Sequence, residues 1–218
     1  MQTDMTVGKP MKMLLNFTIP VFLGNVFQQL YSMADAVIVG KFVGTKGLAA
    51  VGATGTITFL IIGFLMGVTT GVTVLTSQKF GAGRMDEMRK TVGNAAILSA
   101  VIAVVMTAVS MLGMHRLLVF MHTPEDIFDG AYGYIMIICA GIFTQVLYNL
   151  VSSILRALGN SKTPLYFLIL AAGLNIVLDL VFIIFFHWGA PGAAWATVIS
   201  QGVSGVLCLI YMWRPCRN

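Results

Sequence analysis

The chain has 218 residues, of which 58% are hydrophobic and only 10% are charged, and its mean hydropathy is +0.90. Soluble domains carry about 25% charged residues, so this composition excludes a domain surrounded by water and predicts an integral membrane protein. The net charge of +5 forms no basic stripe, so we expect no nucleic-acid partner.

Long stretches without charge predict the membrane-spanning helices. A spanning helix needs about 20 apolar residues, and uncharged windows place six spans near 13–39, 50–78, 91–113, 128–155, 164–186 and 192–213. Residues 187–192 (HWGAPG) separate the last two spans because Gly and Pro interrupt helices. No alternating pattern suggests a β-barrel. We therefore expect an all-α, polytopic membrane protein in which residues 1–218 form a single lobe of six transmembrane helices.

The distribution of Lys and Arg predicts the orientation of these spans. Cytoplasmic loops carry an excess of basic residues. Three lie on one side and ten on the other: Lys41, Lys46 and Arg116 against Lys9, Lys12, Lys79, Arg84, Arg89, Lys90, Arg156, Lys162, Arg214 and Arg217. We expect both termini in the cytoplasm and the chain embedded in the lipid of the plasma membrane. In the loop 79–90, we expect Asp86 and Glu87 to pair with Arg89 and Lys90.

Two acidic residues, Asp35 and Asp179, lie well inside predicted spans, whereas Asp129 lies where the external loop meets the fourth span. A carboxylate at membrane depth is costly and by default indicates an ion or proton pathway. At about 1.5 Å per residue, Asp35, Thr197 and Asp179 fall about 6, 8 and 10 Å below the outer ends of their spans. Asn175 lies one turn deeper than Asp179 on the same helical face.

This common depth predicts one polar site. Two carboxylates in a dry site cannot both stay ionised cheaply, so the pair is expected to hold a proton or a small hard cation such as Na⁺. Amide and hydroxyl oxygens of Asn175 and Thr197 would complete the shell. The alternative is that neighbouring amides satisfy each acid in a purely structural role.

Proline and glycine positions suggest where helices bend and pack. Pro20 lies in the middle third of the first span, where a proline removes a backbone donor and kinks a helix, either as a hinge or as a static bend. Gly63, Gly67 and Gly71 follow a small-xxx-small spacing that predicts tight helix packing within the bundle.

One motif raises the possibility of an enzyme. Residues 202–205 (GVSG) have the GxSG form of rhomboid intramembrane proteases, whose serine needs a histidine base. His115, His122 and His187 map to external loops, and none follows Ser204 in the chain. We therefore interpret the motif as small-residue helix packing and predict neither an enzyme activity nor a cofactor.

Eight short motifs extend over nearly the whole chain. They are residues 19–20 (IP), 28–35 (QQLYSMAD), 39–40 (VG), 47–52 (GLAAVG), 81–83 (GAG), 156–164 (RALGNSKTP), 175–179 (NIVLD) and 189–197 (GAPGAAWAT). In this order they resemble the N-terminal half of a MATE (multidrug and toxic compound extrusion) transporter. The resemblance implies that Asp35, Asn175, Asp179 and Thr197 form the cation-coupling site and that the first helix bends at Pro20.

The resemblance also implies a function. MATE transporters exchange H⁺ or Na⁺ for organic, mostly cationic, drugs or metabolites and consist of two six-helix lobes. This chain carries one lobe, so we expect either a truncated, non-transporting fragment or a lobe that pairs with itself or with a second lobe. A lipid-linked oligosaccharide flippase of the same superfamily is another alternative, disfavoured because no Lys or Arg lies inside a predicted span. The sequence assigns no substrate-binding residue.

Overall fold

A computed structural model describes residues 10–213, and in this range the chain is helical, without strands. The α-helices are α1 (Pro10–Phe42), α2 (Thr45–Gly81), α3 (Met85–Phe120), α4 (Glu125–Ala140), α5 (Ile142–Ala157), α6 (Lys162–Leu180) and α7 (Gly189–Trp213). Five of them are long and apolar enough to cross a membrane alone, and α4 and α5 form a sixth span as a broken pair bent by 46°. The predicted all-α, six-span fold is confirmed.

The first three helices are longer than the predicted spans. They contain 33, 37 and 36 residues, which corresponds to about 50–55 Å at 1.5 Å per residue. The hydrocarbon core is only about 30 Å thick. Charged residues therefore continue the helices beyond the apolar windows, and the connection between α2 and α3 shrinks to residues 82–84.

This short connection also corrects the predicted ion pairs. Glu87 accepts a hydrogen bond from Lys79 and lies 3.6 Å from Arg84. The predicted pairing with Arg89 and Lys90 is wrong. Glu87 lies in the first turn of α3 and reaches back across the tight turn to the end of α2.

The break between α4 and α5 lies at Gly141, inside the predicted fourth span. Backbone carbonyls next to a break need partners inside a membrane. Thr144 Oγ1 donates to the Gly141 carbonyl at 2.8 Å, and Thr107 Oγ1 donates to the Cys139 carbonyl at 3.2 Å. A methyl group at Gly141 would overlap Val198 of α7, so the break lets the two backbones approach closely.

A second irregularity follows α6, where Val181–Phe185 form a π-helix. It begins two residues after Asp179. The rings of Phe182, Phe186 and Trp188 cluster at it with centroid separations of 5.1–6.1 Å; Phe182 and Trp188 are stacked, and the other two pairs are tilted. Single π-turns are often found at functional sites, and this one ends the helix that carries Asn175 and Asp179.

The helices differ in how deeply they are buried. Half of the apolar window of α7 is buried, against 6% of that of α1. The helix α7 packs against α4, α5 and α6, whereas α1 packs mainly against α6. The fold is therefore built around α7, and α1 lies at its periphery.

The structure contradicts one of the two predictions about small-residue packing and confirms the other. Gly63, Gly67 and Gly71 are exposed, and a methyl group at any of them would meet no described atom within 4 Å. The prediction that they pack within this bundle is wrong for the residues described. In contrast, Ser204 Oγ donates to the Phe167 carbonyl at 2.9 Å, and a methyl group at Gly205 would lie 3.2 Å from a backbone nitrogen of α5. The GxSG segment is a packing element, as predicted.

Candidate functional site

The structure brings together the four polar residues that share a predicted depth. Asp35 comes from α1, Asn175 and Asp179 from α6, and Thr197 from α7. Asp35 is 8% exposed, and Asn175 and Asp179 are fully buried. The convergence follows from local geometry: residues four apart share a face of α6, and both α1 and α7 pack against that helix.

The amide of Asn175 bridges Asp179 and α7. Its orientation is assigned from the hydrogen-bond network, with Nδ2 donating to Asp179 Oδ2 at 3.2 Å and Oδ1 accepting from the Thr197 backbone N–H at 3.3 Å. The reverse orientation would leave Nδ2 facing Thr197 Oγ1 at 3.5 Å and would turn the amide oxygen toward the carboxylate. Asn175 thus holds one oxygen of Asp179 in place.

Two other carboxylate oxygens of the pair lack a hydrogen-bond donor among the described residues. The carboxyl groups of Asp35 and Asp179 lie close to each other. Asp35 Oδ1 and Asp179 Oδ1 are buried without a hydrogen-bond donor among the described residues. Leaving a buried polar group unpaired costs about 1–3 kcal/mol. A shared proton, or a cation bound between the two groups, would remove that cost.

Tyr31 joins the site, although the sequence analysis did not single it out. Its buried hydroxyl has no hydrogen-bond partner among the described residues, and it lies next to Thr197 and Ser200 of α7. Tyr31 precedes Asp35 by one helical turn, and this i, i+4 spacing was the signal that could have found it. Within residues 10–213, no third His, Cys, Asp or Glu joins the two carboxylates, so the other polar groups available to an ion here are hydroxyls and amides.

A cavity of about 200 Å³ opens beside Asp35. Its wall contains Tyr31, Asp35 and Thr197 together with polar groups from several helices: Gln28, Ser32, Thr58, Tyr134, Gln145, Asn149 and Gln201. Asp35 is the charged residue among the described lining residues. A ligand in this cavity would therefore contact both a carboxylate of the buried pair and neutral hydrogen-bonding groups.

A larger cavity of about 300 Å³ adjoins the first. Gln28, Met66, Tyr148 and Asn149 line both. The larger one also contains Arg156, which the sequence analysis assigned to a cytoplasmic loop because the uncharged window ends at Leu155.

Pro20 lies inside α1, which continues as one helix from Pro10 to Phe42. It precedes Asp35 by fifteen residues, about 22 Å along the helix, and lines the larger cavity. A movement at Pro20 would change the position of Asp35 relative to α6. Its role as a hinge stays a prediction, as do the coupling roles of Asp35, Asn175, Asp179 and Thr197.

Comparison with known proteins identifies the family. The MatE family model matches residues 20–181, from Pro20 in α1 to the first residue of the π-helix. The chain belongs to the MATE family. Members of this family are transporters rather than enzymes, and the predicted absence of an enzyme activity agrees with this membership.

The matches to similar MATE proteins cover nearly the whole of this chain. "Probable multidrug resistance protein YpnP" of Bacillus subtilis is 33% identical over 209 residues, which cover 96% of this chain and 47% of that protein. The crystal structure of a MATE protein in the bent conformation matches with a TM-score of 0.88 and 30% identity, over 97% of this chain and 47% of the other. A straight conformation matches with the same TM-score at 28% identity, also over 97% and 47%. The chain spans about half the length of the relatives it matches.

Proposed function

We propose that this chain is the ion-coupling lobe of a multidrug exporter that exchanges H⁺ or Na⁺ for an organic, cationic substrate across the cytoplasmic membrane. One observation carries the proposal. The Asp35–Asp179 pair is buried, its unpartnered oxygens can take up a proton or cation, and one of its members lines a cavity. Ion loading therefore changes the charge of the surface that a substrate would contact.

The size of this charge effect is sufficient for coupling. A cationic substrate about 6 Å from an ionised Asp35 gains about 3 kcal/mol at an effective dielectric constant of about 20. Neutralising the pair removes this attraction and lowers the affinity roughly 100-fold. A substrate held from the cytoplasm would then be released outward when H⁺ or Na⁺ enters from outside.

Bending of α1 at Pro20 is the proposed mechanical step. A proline within a helix leaves a backbone carbonyl free and weakens that turn. Similar MATE proteins have been solved in bent and straight conformations, which supports bistability of this kind. Loading would draw Asp35 toward Asp179 and change the angle between the two halves of α1.

The second lobe is part of the proposal, because the matching relatives are about twice as long as this chain. The partner would be another six-helix lobe or a second copy of this one. The ten-to-three distribution of Lys and Arg supports cytoplasmic termini. A non-transporting fragment is one alternative. A flippase is another: Asp35 in the smaller cavity argues against it, whereas Arg156 in the larger cavity removes the objection that no basic residue faces the inside of the lobe.

Ethidium binding to the purified chain in lipid nanodiscs tests the coupling role. The fluorescence-derived Kd of the wild type should rise as pH falls or as Na⁺ is added, because loading neutralises the site. Asp35→Asn should weaken binding roughly 100-fold, by the charge estimate above, and abolish this dependence. Asp129→Asn makes the same change at an exposed acid and should behave like the wild type.

Two results would contradict the proposal. One is an Asp35→Asn protein that keeps both its affinity and its response to pH and Na⁺. The other is an Asp129→Asn protein that loses them to the same extent, since the response would then reflect general surface charge.

A further inference from the structure

The two sides of the larger cavity offer different hydrogen-bonding groups. The cavity lies between α1, α2, α5 and α6, and Arg156 is its charged residue among the described lining residues. On the α2 side, the hydroxyls of Thr69, Thr70 and Thr73 already donate to backbone carbonyls at 2.7–3.1 Å. This side therefore offers mainly acceptor oxygens.

The opposite side, where α5 ends and α6 begins, offers donors. Arg156 lies in the last turn of α5 and forms no ion pair with the described residues. Ser153 and Ser161 flank it, are 8% and 6% exposed, and line the cavity. Neither hydroxyl makes a hydrogen bond within the described part of the chain. Two buried hydroxyls thus remain free to donate beside a guanidinium group.

The start of α6 adds to the positive character of this side. Ser161 precedes the helix, its hydroxyl does not cap it, and the first turn contains no acidic residue. Asn160 Oδ1 instead accepts from the Thr163 backbone N–H at 3.1 Å. Pro164 and Leu165 from this turn line the cavity. The N-terminus of a helix carries a partial positive charge that favours an anion nearby. Arg156 and the two serine hydroxyls point to the same class of ligand. The helix end adds only its dipole, because the Thr163 N–H is already bonded and Pro164 has no N–H.

We propose that this cavity binds the anionic group, a carboxylate or a phosphate, of an amphiphilic organic molecule. The charged group contacts Arg156, Ser153 and Ser161, and the apolar part lies against Pro20, Leu165 and Leu168. Since this cavity adjoins the one containing Asp35, a zwitterionic molecule can place its cationic end there. The inference goes beyond the proposed function because it concerns a second charge on the ligand and does not depend on ion coupling.

A matched pair of dyes tests the proposal on the full chain in phosphatidylcholine nanodiscs. Rhodamine 110 carries a free carboxylate, and rhodamine 123 is its methyl ester, so the two differ at the group in question. By fluorescence anisotropy, the wild type should bind rhodamine 110 roughly tenfold more tightly, the contribution expected of one charge-assisted hydrogen bond. Arg156→Gln should abolish this preference, and Arg156→Lys should retain part of it.

A control variant separates a local contact from general charge. Lys162→Gln removes one positive charge from an exposed position near the same end of the lobe, outside the cavity wall, and should keep the preference. The proposal is overturned if wild type binds the two dyes equally, if it binds neither, or if Arg156→Gln weakens both to the same extent. The affinity ratio of the two dyes does not report on coupling, and the pH response of ethidium does not report on Arg156, so the two proposals fail separately.

A second experiment distinguishes a lipid headgroup from a free amphiphile as the source of the anionic group. The measurement is repeated in nanodiscs that contain about one third phosphatidylglycerol. If anionic headgroups occupy the cavity, rhodamine 110 should bind more weakly to wild type in these discs, with no such change in Arg156→Gln. If the site takes a free amphiphile, the lipid composition should leave the ratio of the two dye affinities unchanged. A loss of rhodamine 110 affinity that is equal in wild type and Arg156→Gln contradicts occupancy of this cavity by lipid.

Discussion

Gly141→Ala should destabilise the lobe through a defined steric contact. A methyl group there would lie 2.9 Å from Val198 Cγ1 and 3.1 Å from Val198 Cβ, and closer still to Cγ2. Gly141 has φ −82° and ψ 1°, which alanine can adopt, so backbone strain does not enter. Replacing a glycine with alanine in a conformation that alanine can adopt would by itself gain about 0.4–1 kcal/mol. Overpacking costs about 1–3 kcal/mol, and the closeness of three side-chain atoms favours the upper end.

The assay is the apparent melting temperature of the purified chain, followed by tryptophan fluorescence in detergent. Overpacking near the upper end of its range, less the gain from removing a glycine, leaves a net cost of about 2–2.5 kcal/mol. For a chain of this size, 1 kcal/mol corresponds to about 2–4 °C, so Gly141→Ala should melt roughly 4–10 °C lower. Val198→Ala in the same chain should restore much of the loss by removing the opposing methyl groups. Gly67→Ala is the matched control, because a methyl group there meets nothing within 4 Å, and it should leave the melting temperature unchanged or slightly raise it.

The steric reasoning is refuted if Gly141→Ala melts like wild type, or if adding Val198→Ala lowers the melting temperature further. Equal losses in Gly141→Ala and Gly67→Ala would also contradict it, since only one of these sites is crowded. A shift of Val198 would also move its neighbour Thr197. The Gly141→Ala protein should therefore show a weaker response of ethidium binding to pH, and the double variant should recover it.

Two further predictions concern the ion site and the first helix. Asn175→Ala leaves Asp179 Oδ2 without its donor and should lower the free energy of unfolding, measured by chemical denaturation, by about 1–3 kcal/mol. Asn149→Ala is the control, because it removes one donor to the Gln145 carbonyl, and it should lower the free energy of unfolding by less. The reverse order would argue against the bridging role of Asn175. Pro20→Ala restores a backbone N–H and its hydrogen bond in α1, so hydrogen exchange should slow at the amides of the neighbouring residues in this turn, and the response of ethidium affinity to pH should flatten if Pro20 is a hinge. An unchanged response would indicate a static kink, with Pro164→Ala, at the start of α6, as the control.

The sequence was sufficient to bring together the polar residues of the proposed ion site because regular helices preserve depth. A rise of about 1.5 Å per residue fixes how far a residue lies from the end of its span, and alternating topology fixes which end is external. Asp35, Asp179 and Thr197 could therefore be placed in one layer although they are far apart in the chain. The i, i+4 rule then added Asn175 and could have added Tyr31.

Features that depend on a partner helix could not be predicted in this way. The helix breaks at Gly141, where the chain packs against Val198, a residue more than fifty positions later in the sequence. Hydropathy does not predict a contact between two residues so far apart in the chain. The small-xxx-small spacing of Gly63, Gly67 and Gly71 was misleading because the spacing does not say which surface the glycines meet. Arg156 was missed for a different reason: a charge ends an uncharged window even when its side chain lines a cavity.

The unequal burial of the helices gives the proposed mechanism a mechanical basis. Asn175, Asp179 and Thr197 lie on α6 and α7, and α7 is held by three neighbouring helices in the middle of the fold. Asp35 lies on the peripheral α1, whose main contact is with α6. A proton or cation shared by Asp35 and Asp179 would fasten the loosely packed helix to the firmly packed one at a single point. Losing that ion would leave two carboxylates to repel each other across the same contact, so ion occupancy acts on the one helix of the lobe that is least restrained by packing.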